Sequence, residues 1–291
     1  MLVQSIEIKS EEKKKSIMGL AILGKELFVL CEMSSEVEVY DSMKLSFSRR
    51  WNLEDTIQPQ DIVSCNKNNC MYIFDNRGSL KSNAILRVDT NGTLIKKWAT
   101  GNHFGYSLSV TDEANIILPV YNARALNEYS PDGQLIRKLY ILPGLDLGEI
   151  WHAIKLPNGH FVVSLRSANL FPAHILVLHH VYRDNLHRVC IVDGDGRLKK
   201  AFGGKFTSTI GHMNVPFHMF IDGNGFVLVV DRENGRVLLL NSDLEFKREI
   251  LSKEDKHGLQ RPTRIHMDES KSRLYVADNE SNNERILIFE F

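Results

Sequence analysis

The chain has 291 residues, with 36 basic and 36 acidic side chains in balance and hydrophobic residues making up 43% of it. A chain of this length can bury roughly 75% of its unfolded surface in one core, and it has no run of about 18 apolar residues that would span a membrane. Cys31, Cys65, Cys70 and Cys190 show neither CxxC pairs nor Cys/His ligand spacing, which argues against a zinc module or a disulfide framework.

In chain order, Leu2 to Ile8 alternates like a strand and lacks the charged leader and apolar core of a signal peptide. With Met1 as the natural start, the expectation is a cytoplasmic protein. The charged run Glu11–Lys15 reads as a solvated link. A first repeat, about 13–55, then offers strands at Met18–Leu23, Leu27–Cys31, Val37–Tyr40 and Phe47–Trp51. A second, about 57–100, repeats the pattern after Pro59, with Cys65 and Cys70 flanking a hairpin turn. The third, about 103–141, has strands at Tyr106–Val110, Ile116–Val120, Ala125–Tyr129 and Leu135–Tyr140. Its turn Ser130-Pro131-Asp132-Gly133 is the counterpart of Asp89-Thr90-Asn91-Gly92 one repeat earlier.

The fourth repeat, about 148–204, carries an insertion from Ser167 to Asp184. The fifth, about 212–251, is the clearest: Pro216–Asp222 alternates, Asp222-Gly223-Asn224-Gly225 is hairpin chemistry, and Phe226–Val230 is too apolar to face water on either side. The sixth, about 258–291, lacks a fourth strand. Periods near 44 residues with four short strands each are the signature of an all-β, six-bladed β-propeller forming a single domain over 1–291. The orphan strand 2–8 should complete the last blade and remove an exposed edge.

In Ala201–Phe206, Pro216–Asp222 and Val229–Val237, and again in Pro262–Asp268 and Leu274–Asn279, the chain resembles the NHL-repeat family. The resemblance implies a six-bladed platform that binds proteins or single-stranded RNA, often at the end of a TRIM-type ubiquitin ligase. No RING, B-box or coiled coil precedes it in this sequence. Asp231–Arg236 is also similar to the peptide-amidating lyase propeller, a zinc enzyme, and Arg232 matches that family's active-site arginine. Phe217 and Thr263 stand where a ligating His would follow the blade-opening proline, so the zinc site is not carried over.

Aligning repeats by their first turn puts Gly19, Asp61, Ser107, His152, His218 and Arg264 at equivalent positions around the channel mouth. Turns between third and fourth strands carry Asp41, Asp89, Asp132, Asp193, Asp195 and Asp243 on one face. The opposite face collects Arg77, Arg124, Arg166 and Arg232, joined by Arg261, Arg264, His152 and His218 and diluted by acids such as Glu233. In the insertion, Phe171 is a candidate contact residue, and the adjacent His179 and His180 would point to opposite sides of a strand. The expectation is a non-catalytic, monomeric scaffold that needs no cofactor. It would bind a protein segment or single-stranded RNA through Arg77, Arg124, Arg166, Arg232, Arg264, His152, His218 and Phe171. The alternative is a hydrolase or lyase holding a divalent metal ion at Asp61, His152 and His218.

Overall fold

The computed structural model describes residues 2–7, 16–32, 34–53, 58–76, 82–101, 105–120, 123–141, 148–167, 187–204, 211–255, 258–280 and 283–291. Strand β1 (Leu2–Glu7) opens the chain, and blade 1 follows as β2 (Ile17–Leu23), β3 (Glu26–Cys31), β4 (Glu36–Asp41) and β5 (Ser46–Asn52). Blade 2 is β6 (Pro59–Cys65), β7 (Cys70–Asp75), β8 (Asn83–Val88) and β9 (Leu94–Gly101). Blade 3 is β10 (Ser109–Val110), β11 (Ile116–Val120), β12 (Ala125–Tyr129) and β13 (Leu135–Tyr140). Blade 4 is β14 (Gly148–Lys155), β15 (Phe161–Ser167), β16 (Arg188–Val192) and β17 (Leu198–Gly203). Blade 5 is β18 (Pro216–Ile221), β19 (Val227–Asp231), β20 (Arg236–Leu240) and β21 (Phe246–Leu251). Blade 6 is β22 (Pro262–Asp268), β23 (Arg273–Glu280) and β24 (Asn283–Glu290), and β1 pairs antiparallel with β24 to supply its fourth strand.

The fold is therefore a six-bladed β-propeller of four-stranded antiparallel sheets, closed by the two ends of the chain. Each blade is too thin to make a core alone, so the apolar residues sort into six clusters, one at each interface between neighbours. At blades 1 and 2, Phe28, Val39 and Trp51 meet Ile62, Met71 and Leu86. At the rim, a Cβ on Gly92 or Gly133 would lie 2.5 Å from the ring of Trp51 or Trp98 on the preceding blade. Both glycines also have φ above +79°, so only glycine meets the turn and the ring contact together.

Five inner strands carry a bulge near their start, at Met18, Gln60, Trp151, Phe217 and Thr263. The residue after each bulge is Gly19, Asp61, His152, His218 or Arg264, so the repeat alignment is correct to the residue. Pro59, Pro216 and Pro262 open three of these strands, where an N–H is not required by the ladder. In the same blades a buried aspartate at or near the end of the second strand fixes the loop that enters the first. Asp75 accepts from the Gln58 amide at 2.8 Å, Asp231 from Asn214 at 2.6 Å, and Asp278 from Arg261 at 2.7 Å.

Blade 3 departs from the expected Tyr106–Val110 strand, since only Ser109 and Val110 pair with β11. The polar groups before them are used elsewhere. The Leu108 amide donates to Asp61 at 2.8 Å, the Leu108 carbonyl lies 3.3 Å from His152 Nε2, and the Ser107 hydroxyl donates to the Trp151 carbonyl at 2.6 Å.

A candidate binding site at the upper mouth of the channel

We call upper the face where loops enter each inner strand and where second strands lead into third strands; the hairpin turns lie on the lower face. Just inside the upper mouth, Arg264 of blade 6 reaches across blade 1 to Asp61 of blade 2, with Nε 3.3 Å from the carboxylate. The crossing is possible because blade 1 contributes Gly19 to this layer. A Cβ there would lie 2.7 Å from the Ile62 backbone nitrogen. Arg264 also donates to the carbonyls of Thr263, Gln60 and Tyr106, and Asp61 accepts the Leu108 and Ile62 amides. Both side chains are at most 2% exposed, and the pair forms a plug. Burial raises the Asp61 pKa to about 6, opposed chiefly by the Arg264 charge.

Below the plug lies a cavity of about 680 Å³ lined by His152, His218 and His266, with Leu20, Leu108 and Met219 at its inner end and Asp112, Asp268 and Glu269 towards the lower face. His152 and His218 stack with ring centroids 4.2 Å apart. Both nitrogens of His152 are engaged, Nε2 with the Leu108 carbonyl and Nδ1 with the Met219 amide at 3.2 Å. Burial drives the His152 pKa down to about 3 and that of His266 to about 4, and lowers His218 as well. All three imidazoles are therefore neutral, and His152 and His218 sit beneath the plug rather than adding charge to the upper face. Among the described residues no group of three or more His, Cys, Asp or Glu side chains is placed to hold a metal ion. The Asp61, His152, His218 set gains no common point: the Asp61 oxygens and both His152 nitrogens already have partners.

Above the plug the structure assembles something the sequence reading missed. The rings of Tyr106 and Trp151 are parallel at 4.3 Å, and Trp151 meets Phe217 at 5.0 Å. These residues immediately precede Ser107, His152 and His218, so the signal in the sequence was an aromatic at the same register in three consecutive blades. The bulges at Trp151 and Phe217 turn those side chains away from the ladder and together. Arginines cover the rings: Arg166 lies 4.1 Å from the Trp151 centroid, and Arg232 and Arg264 each lie 5.1 Å from that of Phe217.

Of the expected arginines, Arg166, Arg232 and Arg264 are thus brought together, with Arg261 joined through Glu233. Arg124 takes a left-handed backbone conformation at the start of β12 and makes no contact with the cluster among the described residues. Arg77 and Phe171, like the insertion, lie outside the described residues. Burial, followed by repulsion from Arg261, lowers the Arg232 pKa. Its Nε is buried without an acceptor, as is the indole nitrogen of Trp151. His187, pushed by burial to a pKa of about 4, adds no charge.

No family model matches the chain, and no curated protein matches it. Solved structures do. A protein of unknown function from Bacteroides thetaiotaomicron superposes with TM-score 0.69 at 12% identity, over 98% of this chain and 72% of that one. A second, of unknown function from Bacteroides caccae, gives TM-score 0.56 at 12% identity over 82% of each chain. YCF48 bound to D1 peptide gives TM-score 0.57 at 9% identity, over 98% of this chain and 81% of that one. At such identities the likeness shows the fold alone.

Proposed function

We propose that the protein is a non-catalytic, NHL-type binding scaffold that recognises a protein segment at the upper mouth of its channel. The observation that carries this reading is the cluster of Arg166, Arg232 and Arg264, whose guanidinium carbons lie 4.1 to 5.1 Å from the ring centroids of Trp151 and Phe217. Arginines lying on aromatic rings are oriented before a ligand arrives, so little side-chain entropy is lost on binding. A protein segment fits better than single-stranded RNA because Trp151 is only 8% exposed, with its ring covered by Tyr106, Phe217 and Arg166, leaving no free platform for stacking bases. A propeller of similar fold, YCF48, has been solved with a peptide bound.

The test is selection of a displayed random peptide library and of a random single-stranded RNA pool, in parallel, on the wild type. The Arg166→Ala/Arg232→Ala double variant and Arg197→Ala, a change on the lower face, serve as comparisons. Peptides should be enriched on the wild type and on Arg197→Ala and lost on the double variant. Enrichment of RNA alone would replace the reading, and peptides retained by the double variant would move the site elsewhere.

A further inference from the structure

Among the described residues, guanidinium donors at the upper mouth stand without acceptors. Among the described residues no carboxylate or carbonyl accepts from the Arg166 guanidinium, which rests on Trp151 at 4.1 Å from the ring centroid. Arg232 gives one nitrogen to Glu233 at 3.1 Å while its Nε is buried without a partner. Arg261 and Arg264 are satisfied, the first by Glu233 at 2.7 Å and the second by Asp61 and three carbonyls. A buried guanidinium donor without an acceptor, such as Arg232 Nε, is costly, while the accessible Arg166 guanidinium held on Trp151 is oriented as an anion site requires.

The ion pairs among the described residues point to the anion. Among the described residues Asp61 pairs with Arg264, and Glu233 with Arg232 and Arg261, which leaves the Arg166 guanidinium on Trp151 without an ion pair there. His187, next to Arg166 and Glu233, is neutral. A single carboxylate would pair Arg166. A run of nucleic-acid phosphates would meet Glu233, which already bridges Arg232 and Arg261. We infer that Arg166 and Arg232 form the anchor for a single carboxylate, carried by the bound protein segment as its C-terminus or as an Asp or Glu side chain. This inference rests on the reading of the upper mouth as a recognition site and names the group recognised. The planar carboxylate matches the guanidinium fork of Arg166 in two parallel N–H···O bonds, and the neighbouring Arg232 adds a second positive charge beside it.

The experiment uses the whole chain labelled with ¹⁵N-arginine, reading the side-chain Nε–H resonances of Arg166 and Arg232. The probes are N-acetyl-alanyl-alanine, its C-terminal amide, N-acetyl-glutamic acid α-amide and inorganic phosphate. Both carboxylates should shift the two resonances saturably, the neutral amide should not, and phosphate should bind more weakly. The tighter carboxylate identifies the source, terminus or side chain. Arg166→Gln, an exposed-edge change expected to leave folding intact, should weaken carboxylate binding by roughly tenfold or more. Absence of a saturable Arg166 shift, or phosphate binding more tightly than both carboxylates, overturns the anchor. If selected peptides bind equally well after every carboxylate is amidated, the anchor fails while the recognition site stands. If carboxylate probes titrate Arg166 but no selected peptide depends on it, the anchor stands and the recognition reading fails.

Discussion

The two ends of the channel use charge in opposite ways. On the lower face the aspartates build their own turns. Asp89 accepts the amides of Asn91 and Thr93, Asp193 those of Asp195 and Arg197, and Asp222 those of Asn224 and Phe226, all at 2.8–3.0 Å. Backbone amides hold the Asp41 and Asp193 carboxyls below the usual range. At Asp41, Asp89, Asp193 and Asp222 the acidic charge is turn chemistry and the carboxylates are already satisfied, while Ser130 and Asn241 take that role in the turns that carry Asp132 and Asp243. On the upper face, arginines crowd over aromatic rings, burial and then repulsion from Arg261 lower the pKa of Arg232, and donors are left over among the described residues. Charge that satisfies itself is architecture; charge held in place without partners is available to a ligand.

The plug between the ends gives the largest expected effect. Asp61→Ala leaves the Arg264 guanidinium buried and unpaired, at a cost of about 3–5 kcal/mol in chemical denaturation. The Asp61→Leu/Arg264→Met double variant should recover most of the loss. If Asp61→Ala unfolds at the wild-type denaturant concentration, the pair does not seal the channel. Gly19→Ala comes next, because its Cβ would press on the Ile62 backbone at 2.7 Å, an overpacking cost of about 1–3 kcal/mol.

Acidification sharpens the same contrast. His152, His187 and His266 have folded pKa values of about 3, 4 and 4, below the unfolded value near 6.5, so their neutral forms stabilise the fold fully above pH 6.5. That stability is lost as pH falls from 6.5 towards 4. Asp61 works the other way: its folded pKa of about 6 lies above its unfolded value, so protonation between pH 6 and 4 relieves a penalty. Three histidines outweigh one aspartate, and denaturation midpoints should drop across this window. His266→Leu should remove roughly one proton from the slope. A flat profile between pH 6.5 and 4 would show that the buried imidazoles are solvated.

Much of this organisation was legible in the sequence, because turns and apolar alternation are local. Asp-Gly-Asn-Gly at 222–225 and Pro at 59, 216 and 262 set the blades and their phase, and the phase alone placed Asp61, His152, His218 and Arg264 in one layer. What the layer does was not legible. Arg264 reaches Asp61 only because the intervening residue is Gly19, and the Tyr106–Trp151–Phe217 stack depends on bulges that no residue type announces. His152 and His218 looked cationic because burial depth cannot be read from one repeat. The short β10 followed from Leu108 bonding to the neighbouring blade, a contact 47 residues distant in sequence.

The smallest effects on stability test the comparison most directly, since the two faces should respond in opposite ways. Asp222→Ala removes the acceptor of two turn amides and should cost about 1 kcal/mol while leaving peptide binding unchanged. Arg166→Gln removes no hydrogen bond within the described residues and relieves repulsion with Arg232, so its stability should stay within about 0.5 kcal/mol of wild type. It loses the stacking of a cation on Trp151, worth about 0.5–1 kcal/mol at an accessible site, and gains by dispersing charge, so the two terms nearly cancel. Binding should nevertheless fall by roughly tenfold. Thermal melts and peptide titrations on the two variants give a crossed table: one loses stability and keeps binding, the other keeps stability and loses binding. If Arg166→Gln instead destabilises the protein by as much as Asp222→Ala, the arginine is a structural strut and the contrast between the two faces collapses. Sites kept for ligands at no benefit to the fold are where stability and function separate.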